Sequence, residues 1–284
     1  MITKKTIVEL ILNNDNNAKF RILVPNEALW YAVKDVILLE VYEMNEYFNF
    51  ETLKDKNLDV CIDAGANVGT FSFKASSIFK RVFAIEPHHE NFYLLNKNIK
   101  INNIKNITPI QYALSEKIGE YYLKLHEFST HHHLQNDNYA VNNDQRILKV
   151  RTITLERIFY DYNLKHVDFL KMDIEGKEYN VILSSENILG KIDRITMELH
   201  NPHEIGDIKS ILEKNGFKCF LYHSPAYKLY YTILKLVKND KRIKGHYALK
   251  MKVLATYFAS YMLSKLRRKK IDYGYLFAIR DELL

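Results

Sequence analysis

Cysteine is scarce in this 284-residue chain, with Cys61 and Cys219 the only two. Two thiols cannot build a disulfide framework, and each lies in a stretch with the apolar character of a strand. They read as buried thiols in a reducing compartment. Long apolar runs are missing too. No window reaches the roughly 18 residues that a membrane-spanning helix needs. The run VLATYFASYML, Val253 to Leu263, stops at eleven uncharged residues. The opening MITKKTIVELIL starts basic, but Glu9 interrupts an already short apolar stretch, so it lacks the form of a signal peptide. No internal repeat is visible. These absences lead to the expectation of a soluble, cytoplasmic protein. Its 47% hydrophobic content can fill a real core, in one large domain or two small ones.

Acidic residues are scarce in one place. From Lys228 to Lys270 there are thirteen Lys or Arg against a single acid, Asp240, so the segment carries +12. The whole chain carries +7, which leaves −5 for the remainder. A mildly acidic body with one strongly basic segment suits a local contact with something anionic.

Residues 18–50 mix a short strand pattern, KFRILVP, with a helical one around Ala32 to Tyr47, and are read as an N-terminal cover over residues 1–50. From Leu58 the patterns alternate. LDVCIDAG, RVFAIEP, NITPIQYAL, VDFLKMDIEG, IDRITMELHN, FKCFLYH and DYGYLFAIR read as strands. TFSFKASSIFK, HENFYLLNKNIKINN (Phe92, Leu95 and Ile99 on one face), LERIFYDYNL, KEYNVILSSENIL and HEIGDIKSILEKNG read as helices, the last ending on Gly216. Such alternation predicts a parallel sheet covered by helices on both faces. Between Gly119 and Thr154 the rhythm breaks: YYLKLHE and ILKVRTI form a hairpin-like insertion around the polar loop STHHHLQNDNYAVNNDQR. Residues 225–270 read as a second, basic insertion before the last strand, within a domain spanning 51–284. Pro225 opens it and Gly245 divides it into two helical patterns. In the second half Leu249, Val253, Tyr257, Tyr261 and Leu266 form one stripe, with Lys250, Lys252, Thr256, Ser260 and Arg267 opposite.

In an open parallel sheet, ligands sit beyond the carboxyl ends of the strands, where strand order reverses. The residues that end these strands are Asp63, Glu86, Asp173 with Glu175, and Glu198 with His200, a concentration of acids on one edge. After Asp63, Gly65 and Gly69 let the chain turn tightly and a ligand approach the backbone. The dinucleotide fingerprint G-x-G-x-x-G is absent: the sequence is G-A-N-V-G. Asp63 and Asn67 beside this loop suit a ligand with a cationic or zwitterionic part better than a pyrophosphate. A merely structural turn is the plain alternative. Glu86 follows Asp63 by twenty-three residues, about where a ribose-binding acid belongs in such a unit.

With D-A-G-A-N-V-G, A-I-E-P and L-K-M-D-I-E-G-K-E in place, the chain resembles the FkbM-type S-adenosylmethionine-dependent methyltransferases. The resemblance covers roughly residues 40–222 and is strongest over 58–180. Lys171 to Gly176, K-M-D-I-E-G, is its most specific mark. The resemblance implies a Rossmann-like α/β fold of the class I methyltransferases: a doubly wound, mostly parallel seven-stranded sheet whose seventh strand runs antiparallel. It implies S-adenosylmethionine as cofactor, with Asp63, Gly65, Asn67 and Gly69 around the methionine part and Glu86 on the ribose. The adenine would lie near Tyr112, Ala113 and Leu114. Asp173 and Glu175 would face the methyl group and acceptor, and Glu198 and His200 match the family's acid and histidine on the fifth strand. His131 to His133 and the 225–270 insertion depart from the general family pattern and leave the acceptor open.

Methyl transfer to an alcohol needs positioning and a base within hydrogen-bond reach. Asp173 and His200 are the candidate bases, with Glu175 and Glu198 orienting acceptor or base. Asp173, Glu198, His200 and His203 offer a metal-like donor set, but a metal-independent site is expected. The loop with Ser129, Thr130 and His131 to His133 is either solvated or lines the acceptor mouth. For the basic segment three readings stay open: a solvated helical pair, an in-plane helix over 245–270 on an anionic membrane surface, or a nucleic-acid surface. The acidic edge argues against a polynucleotide acceptor. The expectation is O-methylation of a hydroxyl on a small molecule, sugar or lipid-linked glycan, at or near the inner membrane face, with a nucleic-acid-directed protein as the rival.

Overall fold

The computed structural model describes residues 5–11, 19–25, 46–124, 133–135, 147–223 and 274–284. Two N-terminal strands, β1 (Lys5–Ile11) and β2 (Lys19–Pro25), pair antiparallel in register from Lys5 opposite Pro25 to Ile11 opposite Lys19. The expected helix around Ala32 to Tyr47 lies almost wholly outside the described residues. Short helix α1 (Phe50–Leu53) follows.

The body is a seven-stranded sheet built from β3 (Val60–Ala64), β4 (Arg81–Ile85), β5 (Ile107–Ile110), β10 (Phe169–Met172), β11 (Arg194–Leu199), β12 (Phe217–His223) and β13 (Gly274–Arg280). Its order is β12-β13-β11-β10-β3-β4-β5. Strands β11, β10, β3, β4 and β5 run parallel to one another, whereas β13 runs antiparallel between β11 and β12. The sheet is therefore mixed by one strand. The chain runs outward from β3 to β5 and returns on the other side at β10. The reversal of strand order falls between β3 and β10, where a ligand crevice forms in such sheets.

Side chains alternate across this sheet into two cores. One core takes Cys61, Val82, Ala84, Phe169, Phe277 and Ile279 from the strands. It packs them against α2 (Thr70–Ala75), α3 (His89–Ile101) and the N-terminal residues Ile22, Val24, Phe48 and Phe50. The other takes Val60, Ile62, Leu170, Met172, Ile195, Met197 and Leu276. Its helices are α4 (Leu155–Asp161), α5 (Glu178–Ser184), α6 (Glu186–Leu189) and α7 (Ile205–Lys214). Helices on both faces follow from strands that are apolar on both faces. Phe169 stands in an aromatic cluster, its ring 5.8, 5.5 and 5.9 Å from those of Phe48, Phe50 and Phe79. Each phenylalanine buried this fully contributes about 1.5–3 kcal/mol.

Two expectations change. The third strand does not run to Leu114: β5 stops at Ile110, and β6 (Ala113–Leu114) joins a second sheet with β7 (Gly119–Lys124), β8 (His133–Gln135) and β9 (Ile147–Ile153), in the order β6-β9-β7-β8. The hairpin of β7 and β9 is present, but as part of this four-stranded unit. KEYNVILSSENIL breaks into two helices at Ser185. As expected, Phe92, Leu95 and Ile99 share the packed face of α3, whose fully buried positions are Asn91, Leu94, Leu95 and Asn98. The basic 225–270 segment lies wholly outside the described residues.

Candidate active site

The turn after β3 is shaped by exclusion. Gly65 has φ 78° and Gly69 φ 100°, and Asn67 between them also adopts the left-handed region, at φ 52°. A β-carbon on Gly65 would stand 1.9 Å from the backbone oxygen of Asp173, so only glycine fits. This close backbone approach joins the turn after β3 to the turn after β10. The N–H groups of Gly65 and Ala66 both donate to the Ile85 carbonyl, at 3.0 and 2.9 Å.

Beneath this turn lies a buried charge pair. Asp63 is fully buried; its Oδ2 accepts from Ser72 Oγ at 2.6 Å, and Lys171 Nζ stands 3.1 Å from its Oδ1 as a charge contact outside hydrogen-bonding alignment. Lys171 Nζ also donates to the Gly65 carbonyl at 3.0 Å. Asp63 thus faces into the protein and, through Lys171, supports the loop from below. Sequence reasoning assigned Lys171 no role. Its signal was a lysine inside F-L-K-M, a strand buried along its whole length, where a cation must find a partner.

Glu86, just past β4, grips the same loop. Its Oε2 accepts the Asn67 N–H and its Oε1 the His88 N–H, both at 2.8 Å. Burial lifts its carboxyl to about 7 against the opposing pull of these bonds, of Lys171 and of the Asn91 side chain. A carboxylate offers about four acceptor sites, so Glu86 retains capacity for a ligand hydroxyl. Asn67 Oδ1 is buried and has no hydrogen-bond partner among the described residues.

The turn after β10 gathers the acids. Asp173, Glu175 and His200 bring ligand atoms within 4.8 Å of one another. His200 Nε2 stands 3.4 Å from Glu175 Oε2 and 3.7 Å from Asp173 Oδ1. Glu175 is held at φ 55°, unusual for a residue with a side chain. What holds this turn is Glu178, at the start of α5 and 1% exposed. Its carboxylate accepts from the N–H groups of Ile174 and Gly176 at 3.1–3.3 Å, and Oε1 lies 2.9 Å from His200 Nδ1. Burial opposes a charge on His200, but the Glu178 hydrogen bond and the charges of Glu178, Asp173 and Glu198 outweigh it and lift the imidazole to about 10. Burial raises Glu175 to about 8; the His200 charge opposes this, and Asp173, Glu198 and Glu178 add to it.

Glu198, from β11, therefore belongs to this electrostatic group, while His203 is exposed and outside the cluster of Asp173, Glu175 and His200. Among the described residues a second donor cluster, His166, Asp168 and Asp193, sits at the opposite edge of the sheet. Ala113 and Leu114 are buried in β6, beyond the end of β5, with the Arg151 guanidinium 4.6 Å from the ring centre of neighbouring Tyr112. Ser129, Thr130, His131 and His132 lie outside the described residues. Lys177, next after the acidic turn, reaches Glu116 at 3.7 Å and the Tyr121 ring at 5.3 Å, tying the turn to the four-stranded sheet.

Sheet order and turns fit a class I, Rossmann-like methyltransferase architecture with a mixed sheet. The family model of the methyltransferase FkbM domain matches residues 63–219. The chain belongs to this family and is a methyltransferase. It is 26% identical over 223 residues to "Methyltransferase 1" of Beauveria bassiana, covering 67% of this chain and 89% of the relative. It is 24% identical over 156 residues to the hexuronic acid methyltransferase AglP of Haloferax volcanii, covering 55% and 62%. A solved methyltransferase FkbM from Methylobacillus flagellatus aligns at 17% identity and a TM-score of 0.42, over 70% of this chain and 52% of that one. Among the described residues no helix is long and apolar enough to cross a membrane.

Proposed function

We propose that the protein transfers a methyl group from S-adenosylmethionine to a hydroxyl oxygen of a sugar or lipid-linked glycan. The observation that carries this reading is the backbone contact of Gly65 with Asp173, which sets a glycine loop suited to a small ligand beside a cluster of acids and a histidine. The loop suits this cofactor. Asn67 Oδ1 is a buried acceptor available to an α-ammonium group, and Glu86 can accept from ribose hydroxyls. Asp63 acts through Lys171 and the loop carbonyls rather than by touching the ligand. Ala113 and Leu114 would flank the adenine.

When bound, the cofactor supplies an activated methyl on a sulfonium. The protein positions the acceptor and receives its proton as the new O–C bond forms. His200, whose imidazole Glu178 and the neighbouring acids lift to about 10, is assigned an orienting role rather than that of the base. The base is Asp173, the most accessible carboxylate of the cluster. Glu175 keeps its proton near neutrality and donates to a neighbouring oxygen of the acceptor. A rim this rich in carboxylate favours an uncharged hydroxyl, and the name of the Haloferax volcanii relative supports a sugar as the acceptor class. The basic residues 228–270 would bring the enzyme to an anionic membrane surface on the cytoplasmic side. Binding to anionic vesicles without salt-sensitive binding to RNA would support that contact.

Two measurements test the proposal. Calorimetric titration with S-adenosylhomocysteine should show binding that Glu86→Ala weakens by about 2 kcal/mol, the order expected for lost charged hydrogen bonds. No binding by folded wild type would end the cofactor assignment. With sugars and extracted lipid-linked glycans as acceptors, Asp173→Asn should lower kcat by roughly 10²–10⁴-fold. An unchanged kcat would remove Asp173 as the base.

A further inference from the structure

The N-terminal hairpin is fastened to the body by two asparagines. Strand β2 pairs with β1 along one edge, and its other edge meets helix α3 and the residue that follows it. The N–H of Leu23 donates to Asn98 Oδ1 at 2.7 Å, and Asn98 Nδ2 donates back to the Leu23 carbonyl at 3.1 Å. One turn later Asn102 repeats the pattern on Arg21, with both distances 2.7 Å. Each amide offers a donor and an acceptor in the way a partner strand would, so two side chains close the edge of β2.

The two asparagines differ in one respect. Asn98 is fully buried, and its Nδ2 also donates to the carbonyl of Val68, at 3.0 Å, inside the glycine loop. Asn102 makes its third contact, at 2.8 Å, with the Asn98 carbonyl of its own helix. Asn98 therefore holds the loop and the hairpin with the same two amide protons. Its loop contact adds to the anchorage given by Glu86 on Asn67 and by Lys171 on Gly65. Besides the Ile85 carbonyl, three side chains hold the loop, and one of them answers to the N-terminal hairpin.

We infer that Asn98 is a positioning residue that couples docking of the N-terminal hairpin to the shape of the glycine loop, so that cofactor occupancy and hairpin docking favour each other. The second half of this statement rests on the cofactor reading given above; the first does not. The coupling is reciprocal: whatever tightens the loop must tighten the hairpin by the same factor.

Hydrogen exchange separates the parts. In the unliganded protein, Asn98→Asp keeps the acceptor for Leu23 N–H but sets an oxygen against the carbonyls of Leu23 and Val68. Exchange should quicken about tenfold both in the loop, residues 66–70, and at Leu23. Asn102→Ala, which frees Arg21 without touching the loop directly, should quicken Arg21 most and the loop weakly through Asn98. Asn98→Ala serves as the second variant if the aspartate does not fold. With S-adenosylhomocysteine added, wild type should gain protection at Leu23, remote from the ligand. Asn98→Asp should lose that gain and bind several-fold more weakly, with the pH dependence of kcat unchanged. Loop exchange in a folded Asn98 variant that matches wild type overturns the coupling. Failure of wild type to bind S-adenosylhomocysteine, with loop and hairpin still loosening together, overturns the cofactor reading and leaves the coupling standing.

Discussion

The turn after β3 and the turn after β10 touch through their backbones at Gly65 and Asp173, yet they are held by different forces. Shape and backbone hydrogen bonds define the first: Gly65 fits because no β-carbon can, and amide N–H groups are fixed by Ile85 and Glu86. Charge defines the second: Glu178 holds the peptide groups of Ile174 and Gly176 and pins His200 against two further acids. A site that must present a ligand in one pose and also manage a proton gains from this division. The first turn also feels pH, through Glu86 at about 7, whereas the second responds at about 8 and about 10 through Glu175 and His200.

The strongest test of the contrast is a pair of identical substitutions. Gly65→Ala places its methyl on the Asp173 carbonyl at positive φ and should destabilise the protein by about 4 kcal/mol, from overpacking and backbone strain together. Gly176→Ala carries the strain alone, since nothing lies within 4 Å of its new methyl, and should cost about 1 kcal/mol. Urea denaturation of both variants decides the matter, and equal losses would erase the distinction.

Next in size is Glu178→Gln, which keeps the outline of the side chain and removes its charge. A loss of about 2 kcal/mol is expected for charged hydrogen bonds, and the titration of His200 followed by NMR should move down from near 10. An unmoved His200 would mean that charge does not govern this turn.

A test that needs no substitution is the pH profile of stability. His200 is raised from 6.5 to about 10, so its contribution is complete below pH 6.5 and is lost as pH rises through about 10. Glu175 and Glu86 hold their protons more tightly when folded, up to about 8 and about 7, so they too favour the folded state less as pH rises from 4.5. Between pH 7 and 10 the folded state binds more protons than the unfolded one, and the urea midpoint should fall. Glu178→Gln should flatten that fall. Glu86→Gln should leave the alkaline part intact.

Much of this arrangement is legible in the sequence. Strands such as β3 and β10, apolar on both faces, announce themselves by composition, and the acids that end them fall on the functional edge because parallel strands share one polarity. Asp173, Glu175, Glu198 and His200 were grouped for that reason. Glu178 was not, because an acid in the first turn of a helix is ordinary on account of the helix dipole, and nothing local marks one that turns inward. Asn98 leaves a trace: it follows Leu94 and Leu95 at helical spacing and stands two turns after Asn91, a second amide on the buried face. The break at Gln111 and Tyr112, which sends β6 to a second sheet, is a tertiary choice that a continuous strand pattern conceals. So is the place of β13 between β11 and β12, since local periodicity carries no information about distant partners.

That placement bears on how the protein is made. A ribosome delivers β11 and β12 well before Gly274–Arg280, so for an interval of synthesis the edge of β11 that β13 will occupy stands open. Unpaired edges of apolar strands invite pairing with other chains. Of the sheet's seven strands the last to emerge is the one that closes the gap, and a nascent chain stalled before it would be the form most in need of a chaperone.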